Sequence, residues 1–186
     1  MKKKIKLWTQ QSEIVKDKLL SEKRTTVKKR YIKRKYGSEA KIFLTAYDFF
    51  VKEAKALVDK PKDAEYPIWA AADKQHALSG AGGYLLQLKV PSDKVILFDA
   101  DKWNKVLSLK YISDNDKDLK NHKQKLKRYG IDSDSDVVLS PHYPKLREEI
   151  KESWEKIFED DISEITNKKA ALWELRLDWV EDIIEI

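Results

Sequence analysis

Between Lys23 and Lys35, eight of thirteen residues are Lys or Arg and none is acidic. They are Lys23, Arg24, Lys28, Lys29, Arg30, Lys33, Arg34 and Lys35, with Tyr31 among them and Tyr36 one residue beyond. Cations at this density neutralise phosphates, and a tyrosine ring can stack on a base. The segment is therefore a candidate surface for nucleic acid or another polyanion, contacted by Lys28, Lys29, Arg30, Lys33, Arg34 and Lys35. Two other readings stand beside it, a solvated helix face and an intramolecular partner for the acidic end of the chain. Residues 1–41 carry a net charge of +11 and residues 147–186 a net −7, within a total of +6. The same split would let the basic part of one copy dock on the acidic part of another, so a protein partner is a further expectation.

Glu174 is the second group with chemical potential. If Ala170–Leu177 is a strand, Leu172, Glu174 and Arg176 share one face, in a cleft or on an exposed sheet surface. Asp132, Asp134 and Asp136 alternate as calcium-loop ligands do, but Val137 and Tyr143 replace the required Gly and Glu, which favours a turn. His76, His122 and His142 are far apart in sequence, so no metal is expected. Ser79 lies near His76 with nothing to make the two a nucleophile and its base. Gly80-Ala81-Gly82-Gly83 precedes a strand and not a helix, so it is no phosphate cradle of the known kinds.

The absence of Cys removes disulfides and thiolate chemistry and fits a cytoplasmic setting. No run of about 18 apolar residues occurs, so no membrane association through a span is expected.

These groups need elements to hold them. Alternation predicts a strand over Lys4–Gln10, with Ile5, Leu7 and Thr9 on one face and Lys6, Trp8 and Gln10 on the other. Ser12 is placed to cap a helix carrying Ile14, Val15, Leu19 and Leu20, and the basic run follows as helix or loose chain. Ser38 opens an amphipathic helix through Phe43, Ala46, Phe50, Ala54 and Leu57, closed by Pro61. Strands are expected at Tyr66–Ala72, Tyr84–Val90 and Val95–Phe98, with a loop over Asp73–Gly83. Asp99 or Asp101 caps a helix with Trp103, Val106 and Leu107. A polar helix spans Ser113–Tyr129, an acidic turn covers Gly130–Asp136, and Pro144 starts a helix through Leu146, Ile150 and Trp154. Ala170–Leu177 and Val180–Ile186 close the chain as strands. The mixture has no regular βαβ period, so the fold class is α+β, a single domain over residues 1–186 with a small mixed or antiparallel sheet and packed helices.

Six pieces stand out together: Leu7-Trp8-Thr9-Gln10, Ala46-Tyr47-Asp48, Tyr66-Pro67-Ile68-Trp69-Ala70, Leu86 to Asp101 with Trp103, Ser153-Trp154-Glu155-Lys156-Ile157-Phe158, and Ala171-Leu172-Trp173-Glu174-Leu175. In this order and spacing the chain resembles the bacterial and phage family known as domain of unknown function 3841, over nearly its whole length. The basic segment lies outside those pieces and reads as an elaboration over residues 21–37. More distantly, the layout is similar to ADP-ribosyltransferase folds, closest to the DNA-targeting toxin branch. That resemblance implies NAD as cofactor and a toxin or phage–host conflict factor acting on or near nucleic acid. Trp8, Thr9 and Trp69 would then line the nucleotide, and Gln10 and Glu174 would be catalytic, the carboxylate stabilising developing positive charge. Leu7 stands where many such enzymes have His, and the toxin register would put the catalytic Glu nearer Ala171. The alternative is a non-enzymatic module that binds nucleic acid or protein through its basic arm.

Overall fold

Eight of the residues from Lys4 to Gln11 form the central strand, because a polar–apolar alternation lets one edge of the pleat face a core while the other stays wet. The computed structural model describes residues 3–78, 80–158, 165 and 167–186. In chain order the strands are β1 (Lys4–Gln11), β2 (Arg24–Thr25), β3 (Ile68–Ala71), β4 (Tyr84–Pro91), β5 (Ile96–Asp99), β6 (Lys168–Leu172), β7 (Leu175–Arg176) and β8 (Val180–Glu185). The helices are α1 (Glu13–Glu22), α2 (Lys29–Tyr36), α3 (Ala40–Ala54), α4 (Lys74–Ala77), α5 (Ala100–Leu107), α6 (Asp116–Arg128), α7 (Asp134–Leu139) and α8 (Pro144–Ser153). Local signals place several of these. Asp99 caps α5 by accepting from the amides of Asp101 and Lys102, and Pro144 occupies the first turn of α8, where a missing N–H costs nothing.

The fold is α+β, a single domain around a six-stranded antiparallel sheet in the order β5-β6-β3-β1-β4-β8, with β2 and β7 forming a separate pair. On one face Leu7, Ile68, Ala70, Leu86, Leu88, Val90 and Leu172 pack with Leu19 of α1 and with Trp179. On the other, Ile96, Phe98 and Ala171 meet Tyr47 and Phe50 of α3, Trp103 of α5, Ile150 of α8 and Trp154, with Trp69 packed against them. The antiparallel β1–β4 pair is tight at the end where Gln11 meets Tyr84. Gly83 has φ +98°, and a Cβ there would sit 2.7 Å from the Gln11 carbonyl oxygen, so only glycine fits.

Several expectations change. The stretch expected as a loop over Asp73–Gly83 holds the short helix α4, capped by Asp73 accepting from the Gln75 amide, and α3 ends at Ala54, short of Leu57. The last strand is not continuous: the chain leaves the six-stranded sheet after Leu172, Trp173 buries its ring and donates to the Val58 carbonyl, and β7 pairs with β2 instead. Leu172, Glu174 and Arg176 therefore share no strand face. The acidic turn gives way to helix at Asp134, where Ser133 caps α7 by accepting from the amide of Asp136. Ser38 does not cap α3; it sits in a short 3-10 turn, and α3 begins at Ala40. Within α1 only Leu19 is buried, while Ile14 is 75% exposed. The reading of Ser79 as a loop residue lies outside the described residues.

Candidate functional site

The basic run is not a loose arm. Val27 bridges to Tyr66, Ile32 is buried, and the Tyr36 ring stacks on Phe43 at 3.7 Å between centroids. Lys29 to Tyr36 is helical because Ile32 and Tyr36, one turn apart, give it an apolar stripe against α3. The N-cap residue, Lys28, gives no side-chain cap, and the Glu65 carboxylate does that work by accepting from the Lys29 amide at 2.5 Å. Gly37, at φ +53°, then turns the chain into α3.

Between α2 and α3 this leaves an open groove of about 550 Å³. Lys29 and Lys33 line one side, Lys41, Thr45 and Asp48 the other, with Ser38 at the turn and Leu44 below. Lys41, Thr45 and Asp48 follow one another at helical spacing along α3, so one face of a single helix presents them together.

The structure divides the run by use. Arg24 donates through Nη1 and Nη2 to both oxygens of Asp63, at 2.6 and 2.9 Å, and through Nε to Glu174. Lys28 donates to the Asp63 carbonyl. By contrast Lys29, Arg30, Lys33, Arg34 and Lys35 are exposed, and among the described residues none is ion-paired to a carboxylate. Arg30 lies over the Tyr31 ring and Lys35 over that of Tyr36. Among the described residues the run meets the acidic end of the chain through the β2–β7 pairing and the Leu177 amide on the Lys23 carbonyl, and by a side-chain ion pair at Arg24 with Glu174.

Glu174 is a structural latch here. Its side chain is 16% exposed and holds β2 against the β6–β7 link. The two carboxylates hold Arg24 firmly charged, Asp63 contributing more, and Arg24 in turn lowers the Asp63 carboxyl to about 2 from 3.8. Glu174→Gln is expected to lower stability by about 1 kcal/mol in a urea titration, because the charge-assisted bond is partly wet. The folded Asp63 value lies below the unfolded one. Its stabilising effect is therefore complete above about pH 4 and fades as pH falls towards 2. Arg24→Gln should flatten stability across that acid window, and an unchanged acid limb would contradict the latch.

The remaining residues implied by the ADP-ribosyltransferase resemblance are engaged elsewhere. Gln10 donates through Nε2 to the carbonyls of Gly80 and Gly82, at 3.1 and 2.8 Å, and so holds the glycine loop. Thr9 is buried, donates to the Trp69 carbonyl at 2.7 Å and accepts from Gln11. Trp69 packs in a layer with Tyr47, Phe50, Phe98 and Trp103, at ring separations of 5.0 to 5.8 Å. Trp8 lies beneath the ammonium groups of Lys6 and Lys74. As arranged, these side chains do not fit an NAD site: the Glu174 carboxylate is paired with Arg24, Gln10 and Thr9 are held by backbone carbonyls, and the half-buried Trp69 ring is packed against the aromatic layer.

Two groups were overlooked in the sequence. In α6, Lys117, Lys120, Lys127 and Arg128 are exposed on the side opposite the buried His122 and Leu126. Their spacing of three, seven and one residues was the available signal. His122 itself meets Asp134 at 2.6 Å and stacks on Tyr111 at 4.1 Å, while the Tyr111 amide donates to the other Asp134 oxygen. That cluster fastens α6 to α7. It also takes Asp134 away from Asp132 and Asp136, the other two members of the acidic alternation.

Among the described residues no helix is long and apolar enough to cross a membrane. The sequence model of the family described as Domain of unknown function (DUF3841) matches residues 6–181. No curated protein and no solved structure matches the chain.

Proposed function

We propose that this chain, which belongs to the family described as Domain of unknown function (DUF3841), binds nucleic acid along the groove between α2 and α3. The observation that carries the reading is the separation within the basic run. Arg24 and Lys28 are consumed by internal contacts, whereas the five cations from Lys29 to Lys35 are presented on a rigid helix beside the groove. A helix fixed by Ile32 and Tyr36 loses little conformational freedom when its lysines meet phosphates. Ser38 adds a hydroxyl, a group that commonly donates to phosphate oxygens. The stripe on α6 offers a further set of phosphate contacts. The binding reading is favoured over the NAD-splitting one because each group needed for catalysis already has an internal role. The setting is one that holds nucleic acid, the cytoplasm.

The test is the salt dependence of binding to generic duplex and single-stranded oligonucleotides. With about three to five phosphates neutralised, the log–log slope should lie at roughly −2 to −4.5. A flat slope, or no binding at low salt, overturns the proposal.

A further inference from the structure

We infer that Asp48 makes the groove selective for RNA over DNA by accepting a hydrogen bond from a ribose 2′-hydroxyl; this rests on the nucleic-acid reading above. Asp48 is an anomaly where it stands. It lines a groove whose other charged residues are Lys29, Lys33 and Lys41. A groove meant only for phosphate is weakened by a carboxylate, which repels the very group the lysines attract. It is also not a spare surface charge. The Tyr66 hydroxyl donates to Asp48 Oδ1 at 2.5 Å, from a ring that is buried against Tyr47. Burial, and then the Asp48 carboxylate, hold the Tyr66 phenol well above its ordinary value, so it remains a donor throughout the physiological range. This bond joins α3 to the approach to β3 and fixes the direction of the carboxylate.

A carboxylate held in this way has acceptor capacity left over, since it carries two oxygens and about four lone-pair sites. The ligand group it suits must be a donor lying close to phosphates. On a nucleic acid strand, the donor nearest the phosphates is the 2′-hydroxyl, which DNA lacks and by which proteins tell RNA from DNA. Lys29, Lys33 and Lys41 would hold consecutive phosphates while Asp48 accepts from the sugar between them. For DNA the same carboxylate finds no donor at that place and only repels.

Oligouridine and oligodeoxyuridine with the same base at every position isolate the 2′-hydroxyl, and 2′-O-methyl oligouridine keeps the ribose while removing its donor. Fluorescence anisotropy should show oligouridine bound about tenfold more tightly than either of the others, the worth of one charge-assisted hydrogen bond. Asp48→Ala should bring that ratio to about one while leaving oligodeoxyuridine bound as well as before or better. Tyr66→Phe keeps the buried ring and removes the donor that fixes Asp48, so it should reduce the ratio as well. Tight binding of the 2′-O-methyl strand, equal binding of RNA and DNA, or a preserved ratio in Asp48→Ala overturns this inference and leaves the nucleic-acid reading standing. Failure of all three strands to bind removes both.

Discussion

Phe50→Ala is expected to cost about 3–5 kcal/mol of folding free energy, the usual range for removing a fully buried aromatic ring. Phe50 has no exposed surface, and its ring meets those of Trp69, Phe98, Trp103 and Phe158 at 5.0, 5.2, 5.3 and 5.2 Å. It is the point where α3, two strands of the sheet and α5 come together. Rigid aromatic neighbours cannot collapse into the space left, so the cavity term adds to the lost transfer energy. Against a total of about 5–15 kcal/mol this is a large fraction, and it should lower the melting temperature by roughly 6 to 20 °C. Leu57→Ala, at a position 57% exposed just past the end of α3, serves as the comparison and should change stability by less than about 0.5 kcal/mol. A loss below about 1 kcal/mol for Phe50→Ala would mean that the aromatic layer is not packed as described. The same layer bears on function. Trp69 packs against this layer while itself only half-buried, so the layer fixes one face of its ring.

Elements whose cause lies within a few residues were legible in the sequence. The alternation of Leu7 and Thr9 against Lys6, Trp8 and Gln10 gave β1, and Asp99 and Pro144 marked the starts of two helices through backbone chemistry at those positions. What was hidden depends on distant partners. Nothing near Glu174 in sequence announces that Arg24 will hold it, and the hydrogen bond spans 150 residues of chain. That pairing draws β7 out of the sheet, so a run with the composition of one strand becomes two. Trp69 misled for a related reason. An aromatic residue on a strand reads the same whether its face is open or covered, and the placement of α3 and α5 partly covers this one. The basic run was conspicuous in composition, yet its division into paired and unpaired cations is a property of the tertiary structure.

Reversing three of the unpaired cations, in the variant Lys29→Glu with Lys33→Glu and Arg34→Glu, should weaken nucleic-acid binding on the order of a hundredfold at moderate salt. The salt slope should become shallower by about 2 to 3, because each lost phosphate contact removes roughly 0.7 to 0.9. The cost in stability should stay near 1 kcal/mol or below, since these side chains are exposed and among the described residues have no carboxylate partner to lose. Only the favourable interaction of Lys33 and Arg34 with the C-terminal end of α2 is given up. This pairing of a large binding loss with a small stability loss separates the readings of the basic run. A solvated face would leave both quantities unchanged. An intramolecular partner for the acidic end would show mainly in stability, and Arg24→Gln, which removes the cation of the run that pairs with Glu174 at that end, should give this opposite pattern. Docking between copies would appear as salt-sensitive light scattering that the triple variant abolishes with no nucleic acid present. Reversal of Lys117, Lys120 and Lys127 on α6 completes the comparison. If one strand of nucleic acid spans both helices, the two sets of reversals weaken binding together. If α2 acts alone, the α6 variant binds as the unaltered protein does.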